Sequence, residues 1–175
     1  LDKTFWITES EDNPKHVASL QLLKMPAKAT LDYVDELAAE MRANDQACAP
    51  FNCRVRTFMG YPIKFVPAEQ LDMQYHVQLH TIEDLTDKPA LHKFVASLHE
   101  PWLDRDKPLW QFHLIKDHNT EQFALYIKIH HMCGDGSTLI RWFQAGYSPE
   151  PIVEGFVPVW SMDRTQRTRN KPHWF

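Results

Sequence analysis

The sequence predicts an α/β (α+β) two-layer sandwich, a mixed sheet with helices packed on it. Two observations carry this. Segments with apolar residues at every second position alternate with segments whose apolar residues recur every three or four, the order of strands with helical connections. The composition is that of a folded chain, 43% hydrophobic and 24% charged over 175 residues, enough for one domain with a sizeable core.

Taken in order, residues 17–25 (VASLQLLKM) read as a strand that ends at Pro26. Residues 31–43 read as a helix with Leu31, Val34, Leu37, Ala38 and Met41 on its inner stripe and Thr30 as cap. Residues 53–58 and 62–66 are short strands around Gly60. In 73–81 (MQYHVQLHT), Met73, Tyr75, Val77 and Leu79 alternate with Gln74, His76, Gln78 and His80, which predicts a strand with both histidines on a solvated face. Residues 89–100 read as a helix with Leu91, Phe94, Val95 and Leu98 inward, Pro89 in its first turn, and His92 and His99 exposed. Two strands, 111–116 and 122–131, flank the polar DHNTE and suggest a hairpin. A last helix starts after Gly136, with Leu139, Ile140 and Phe143 as its inner face. From 147 to 175 periodicity stops, and Pro149, Pro151, Pro158 and Pro172 give the stretch the look of a linker.

Bulk properties narrow the function. A net charge of −4 argues against a nucleic-acid partner. Cys48, Cys53 and Cys133 have no repeated spacing, so neither a disulfide framework nor a metal site is expected, and reduced thiols suit a cytosolic protein. No leading apolar stretch reads as a signal peptide, and no apolar run reaches the ~18 residues of a membrane span.

The chemistry concentrates in KIHHMCGDGST, residues 128–138. In a strand, Phe123, Leu125, Ile127, Ile129 and His131 share one face, and Tyr126, Lys128 and His130 share the other. The two histidines therefore cannot both address one substrate. His131, nearest the turn, is the candidate general base, because a neutral imidazole on an apolar wall can take a proton from an attacking hydroxyl, amine or thiol. Two satisfied strand histidines are the plain alternative. Gly134 and Gly136 supply a turn. Asp135 caps the next helix, bonds its own backbone, pairs with a buried arginine, or accepts from His131 Nδ1 as a triad acid. A structural role is favoured. Cys133 as nucleophile is a weaker option, and GDGST lacks the Lys-[Ser/Thr] pair of a phosphate loop. No GxSxG elbow is present, which favours direct transfer over an acyl-enzyme.

His130-His131-Met132-Cys133-Gly134-Asp135-Gly136 resembles the HHxxxDG signature of the chloramphenicol acetyltransferase-like acyltransferases. The flanks HVASLQL, LDMQYHV, LHEPWLDRDKPLWQFHLI and FALYIKIHH are similar in order and spacing to the wax ester synthase/diacylglycerol acyltransferases, over residues 4–146. The resemblance implies a chloramphenicol acetyltransferase-like fold. It implies His131, beside His130, as general base on a long-chain alcohol or diacylglycerol hydroxyl that attacks the thioester of a fatty acyl-CoA, giving an ester and free CoA. Asp135 would hold the loop and Gly136 permit its turn. Pro108-Leu109-Trp110 would shape or support an acyl channel. Acyl-CoA is a substrate, and no metal or redox cofactor is implied.

The same resemblance divides the chain into an N-terminal acyltransferase domain, 1–146, and a linker-like segment, 147–175, towards a C-terminal half. The family's C-terminal Asn-Asp element has no counterpart here, so this half alone is expected to be inactive without the second tunnel wall. Trp160, Trp174, Arg164, Arg167, Arg169 and Lys171 read as a solvated linker, or as contacts to CoA phosphates or an anionic lipid surface. A cytoplasmic protein, peripheral at a membrane or lipid inclusion, is the expected setting. The alternatives are a non-catalytic acyl- or lipid-binding module and a thioester condensation domain of the same fold.

Overall fold

A computed structural model describes residues 3–118, 121–146 and 157–162. Its elements run α1 (Lys3–Thr8), β1 (His16–Lys24), α2 (Tyr33–Ala43), β2 (Cys53–Phe58), β3 (Tyr61–Pro67), α3 (Met73–His76), β4 (Val77–Thr81), α4 (Lys88–His99), β5 (Trp110–Lys116), β6 (Gln122–His130) and α5 (Gly136–Gly146), with single 3-10 turns at His131–Cys133 and Val159–Ser161.

The expected mixed sheet with helices packed on it is present. Four strands lie in the order β1-β6-β5-β4, antiparallel except for the parallel β4–β5 pair, while β2 and β3 form a separate antiparallel ribbon. Alternation along β5 and β6 sorts the core. Phe112, Leu114, Phe123, Ile127 and Ile129 pack with α2 residues Val34, Ala38 and Met41 and with Leu139 of α5. Ile115, Ala124 and Tyr126 face the other way, against Leu91 of α4. The central strands are buried on both faces because helices cover both, and the α4 side also encloses the polar Gln111, His113, Lys128 and His130.

Several expectations change. The strand reading of 73–81 holds only from Val77. Asp72 caps a helical turn at 73–76, its Oδ1 accepting from Tyr75 N at 3.2 Å. That turn swings His76 out of the solvated face into the core, where it is 0% exposed, stacks on Trp110 with ring centroids 4.1 Å apart, and donates from Nδ1 to Trp110 O at 2.8 Å. His80 is half-buried and pairs with His113 (3.1 Å), and His99 is half-buried against the Tyr126 hydroxyl (2.7 Å), so neither is a free surface group. His92 is exposed.

Thr30 does not cap α2, which begins at Tyr33 after Asp32 and leaves Leu31 exposed. Asp87 caps α4 through Ala90 N at 3.1 Å. Ile140 lies on the exposed side of α5 while Leu139 is buried.

The stretch after 146 is not all solvated linker. Trp160 is 0% exposed, stacks on Trp110 with centroids 5.2 Å apart, and donates from Nε1 to Asn44 O at 2.8 Å. Its own carbonyl accepts from Cys48 N at 2.7 Å. An indole buried to this degree belongs to the packed core and not to a solvated linker. Trp174, Arg164, Arg167, Arg169 and Lys171 lie outside the described residues.

Candidate active site

The loop from His130 to Gly136 is built by backbone bonds that end β6. Up to Ile129 the strand pairs on both sides, with β1 and β5. His130 N then donates to Leu109 O at 3.0 Å, and His131 N to Lys15 O at 2.8 Å. His130 Nδ1 accepts from Met132 N at 3.0 Å and pulls the chain into its 3-10 turn. That bond leaves Nδ1 without a proton, so a neutral His130 carries its hydrogen on Nε2.

His131 therefore leaves the strand rather than continuing its apolar face. Its imidazole is half-buried and stacks on Phe5 of α1, centroids 3.8 Å apart and planes at 22°. Among the described residues, no hydrogen bond engages either ring nitrogen. His131 lines neither of the apolar cavities nearby. One, about 280 Å³, is bounded by Val17, Ile127, Ile129, Gly136, Ile140 and Phe143. The other, about 150 Å³, shares Ile127 and Phe143 and extends to Trp160.

Asp135 is an N-cap. Its Oδ1 accepts from Thr138 N at 2.7 Å and from Ser137 Oγ at 2.9 Å, and its carbonyl accepts from Leu139 N at 3.0 Å. The bonds from Thr138 and Ser137 hold its carboxyl down at about 2. With the carboxylate on the helix end, the triad arrangement with His131 is not the one found.

The glycines differ from the expected turn. Gly134 is extended (φ 172°, ψ 154°), a conformation open to any residue. A Cβ there would meet Thr138 Cγ2 at 3.2 Å and Trp142 Cη2 at 3.3 Å, so close approach is what it permits. A Cβ at Gly136 would meet nothing within 4 Å.

Cys133 is half-buried, and burial pushes its thiol up to about 12, so it is protonated and a poor nucleophile. Pro108, Leu109 and Trp110 are buried, the last two 1% exposed. Leu109 packs with Trp6, Val55, Leu103 and Met132, and Trp110 donates from Nε1 to Phe51 O at 2.8 Å. Their surfaces are spent on the core, so this element supports the histidine loop from behind and presents no wall to a ligand.

Sequence reasoning missed Glu9. Its side chain is 2% exposed beneath the loop, bound by Arg105 Nη2 at 2.7 Å and Lys15 N at 3.1 Å, with His16 Nε2 and His130 Nε2 each 3.5 Å from Oε1. Burial raises its pKa, but bonding to His130, Arg105 and Lys15 N outweighs this and holds the carboxyl at about 2. Arg105 also lies over the Trp6 ring at 4.1 Å. No periodicity marks Glu9, which follows a six-residue helix and is assembled by tertiary contact. Among the described residues, no group of three or more His, Cys, Asp or Glu could hold a metal ion. No helix there is long and apolar enough to cross a membrane.

Comparison with known proteins identifies the family and the fold. A family model described as the wax ester synthase/diacylglycerol acyltransferase catalytic domain matches residues 1–175. A probable diacylglycerol O-acyltransferase of Mycobacterium tuberculosis, tgs2, is 29% identical over 170 residues, covering 96% of this chain and 37% of the relative. The wax ester synthase/diacylglycerol acyltransferase of Marinobacter aquaeolei VT8 superposes with a TM-score of 0.84 at 35% identity, over 92% of this chain and 39% of that one. The tallysomycin biosynthesis protein TlmII, at 15% identity and TM-score 0.54 over 80% of this chain, shares the fold alone. The chain thus spans under two-fifths of the length of the relatives described.

Proposed function

The chain belongs to the wax ester synthase/diacylglycerol acyltransferase family, and on that premise we propose that it supplies the histidine-bearing part of an enzyme that moves a fatty acyl group from acyl-CoA to a long-chain alcohol or diacylglycerol. The observation that carries this is the state of His131: half-buried, stacked on Phe5, fixed through its backbone N, and with both ring nitrogens free of hydrogen bonds among the described residues.

A ring nitrogen of His131 takes the hydroxyl proton as the oxygen attacks the thioester carbon. The tetrahedral intermediate collapses with cleavage of the C–S bond, and the imidazolium returns its proton to the departing sulfur. The products are an ester and free CoA, and the step balances without a cofactor. Asp135 and Glu9 hold the loop from its two ends. The remaining length of the relatives would supply the facing wall of the site.

The test uses a polypeptide that carries this chain together with the remaining length of its relatives. CoA release is followed with palmitoyl-CoA and either hexadecanol or dioleoylglycerol. His131→Ala is expected to lower turnover by ~100-fold or more with the fold intact. Undiminished turnover in the folded variant would remove His131 from the chemistry, and binding of acyl-CoA without turnover by the parent would make this a binding module.

A further inference from the structure

The β2–β3 ribbon ends in a two-residue turn, Met59–Gly60, with φ of 50° and 80°. Both residues at positive φ is the geometry for which Asn-Gly is the ordinary choice. Methionine here is strained, and its side chain is 83% exposed. Phe58 (69%), Tyr61 (62%) and Ile63 (46%) are also exposed, and Ile7 and Trp102 join them at the base of the tip. Large apolar groups scattered singly over a surface need no explanation, but this many on one finger do.

The charge on the finger itself has one sign. Residues 53–67 carry Arg54, Arg56 and Lys64 and no Asp or Glu, in a chain whose net charge is −4. Arg56 and Lys64 are direct cross-strand partners, an unfavourable placement unless an anion offsets it. None of the three has an ion-pair partner among the described residues. Arg54 and Arg56, with Arg105 and one acid, Asp106, line a cavity of about 710 Å³ behind the tip. The finger is held in place rather than loose, because Trp6 Nε1 donates to Gly60 O at 3.2 Å.

We propose that the β2–β3 finger docks on an anionic phospholipid surface, with Phe58, Met59 and Tyr61 entering the acyl region and Arg54, Arg56 and Lys64 meeting headgroup phosphates. An apolar tip with Tyr and Trp at its edge and a cationic collar is the chemistry of an interfacial anchor. The inference rests on the acyltransferase reading only for its purpose, which is to bring the site to acceptors dissolved in lipid.

The test is co-sedimentation of the full chain with vesicles of phosphatidylcholine, with and without about one-third phosphatidylglycerol. The parent is expected to bind the anionic vesicles. Phe58→Ser/Met59→Ser/Tyr61→Ser should weaken binding at least ~10-fold. Arg54→Gln/Arg56→Gln/Lys64→Gln should abolish the preference for anionic vesicles. Met59→Asn relieves the turn, so it should melt no lower than the parent while binding more weakly, which separates lipid contact from folding. A parent that fails to bind, or a tip variant that binds equally well, overturns the proposal. In the longer enzyme, a short-chain acyl-CoA and alcohol pair soluble in water should be turned over unchanged by these variants. Lost turnover would place the finger in an internal interface, and a raised KM for the acyl-CoA would assign the cations to CoA; either overturns it. Vesicle binding without CoA release from any substrate pair would sink the acyltransferase reading and leave the lipid surface standing.

Discussion

Glu9 Oε1 lies 3.5 Å from His130 Nε2, and the same oxygen lies 3.5 Å from His16 Nε2. Since His130 Nδ1 is occupied as an acceptor from Met132 N, the hydrogen on Nε2 faces the carboxylate. One buried anion thus joins the strand β1, the end of β6 and, through Arg105, the loop that precedes β5. Removing one member of a buried charged set leaves the others without compensation, at about 3–5 kcal/mol. Glu9→Ala is therefore expected to lower the urea midpoint steeply. Glu9→Gln, which keeps the shape and an accepting oxygen, should cost less. Equal stability of Glu9→Ala and the parent would mean the cluster is incidental.

Acid should weaken the fold before it reaches the carboxylates. Burial lowers His16 and His76 to about 4 and His113 to about 3, from 6.5. The folded state keeps these rings neutral while the unfolded chain protonates them. Their contribution is complete above pH 6.5 and is withdrawn as pH falls towards 4 and then 3. Glu9 has the same sign in a lower window, its contribution lost from 4.5 down to about 2. Between pH 6.5 and 5 each histidine is worth up to about 2 kcal/mol. Denaturant midpoints at pH 7, 6 and 5 should fall in that order. A flat profile would show that these rings are hydrated in solution.

Asp135 tests whether the acid of the HHxxxDG loop is a cap or a reagent. As a cap it serves Thr138 N and Ser137 Oγ. Asp135→Ala should lower the thermal midpoint by about 5 °C, and Asp135→Asn, whose amide oxygen can still accept from Thr138 N, should restore most of it. Full stability with abolished CoA release in Asp135→Ala would instead assign the carboxylate to the chemistry.

The strands and the long helices were legible to within two residues at most ends because each buries a periodic face. Their N-caps were less so, since the Asp72 and Asp87 caps are read from bonds and not from spacing. The candidate site was legible only where it is local. His131, Asp135 and Gly136 sit in seven consecutive residues, whereas Glu9, Phe5 and Arg105 reach the same loop from far along the chain. His76 shows how periodicity misleads: the alternation through 73–81 is real in the sequence, but the Asp72 cap converts its first four residues to a helical turn and reverses the exposure of the ring. Trp160 was hidden by its prolines, which mark irregular backbone and say nothing of whether that backbone is packed.

The two glycines of the loop separate stability from function. Gly136 opens α5 and has empty space where its Cβ would lie, so Gly136→Ala gains helix propensity, on the order of 0.5 kcal/mol, and should melt no lower than the parent. Gly134→Ala would press a methyl against Thr138 and against Trp142, whose ring is held edge-on by Phe51 with centroids 5.4 Å apart, and should cost about 1 kcal/mol. Gly136 also borders the cavity of about 280 Å³ beside Ile129 and Phe143. If a substrate chain occupies that space, the added methyl of Gly136→Ala obstructs it, and kcat/KM should fall at least ~10-fold in a protein that is no less stable, the scale of a misfit in an apolar pocket. Full activity in Gly136→Ala would leave the glycine a helix-end residue and place the substrate path elsewhere.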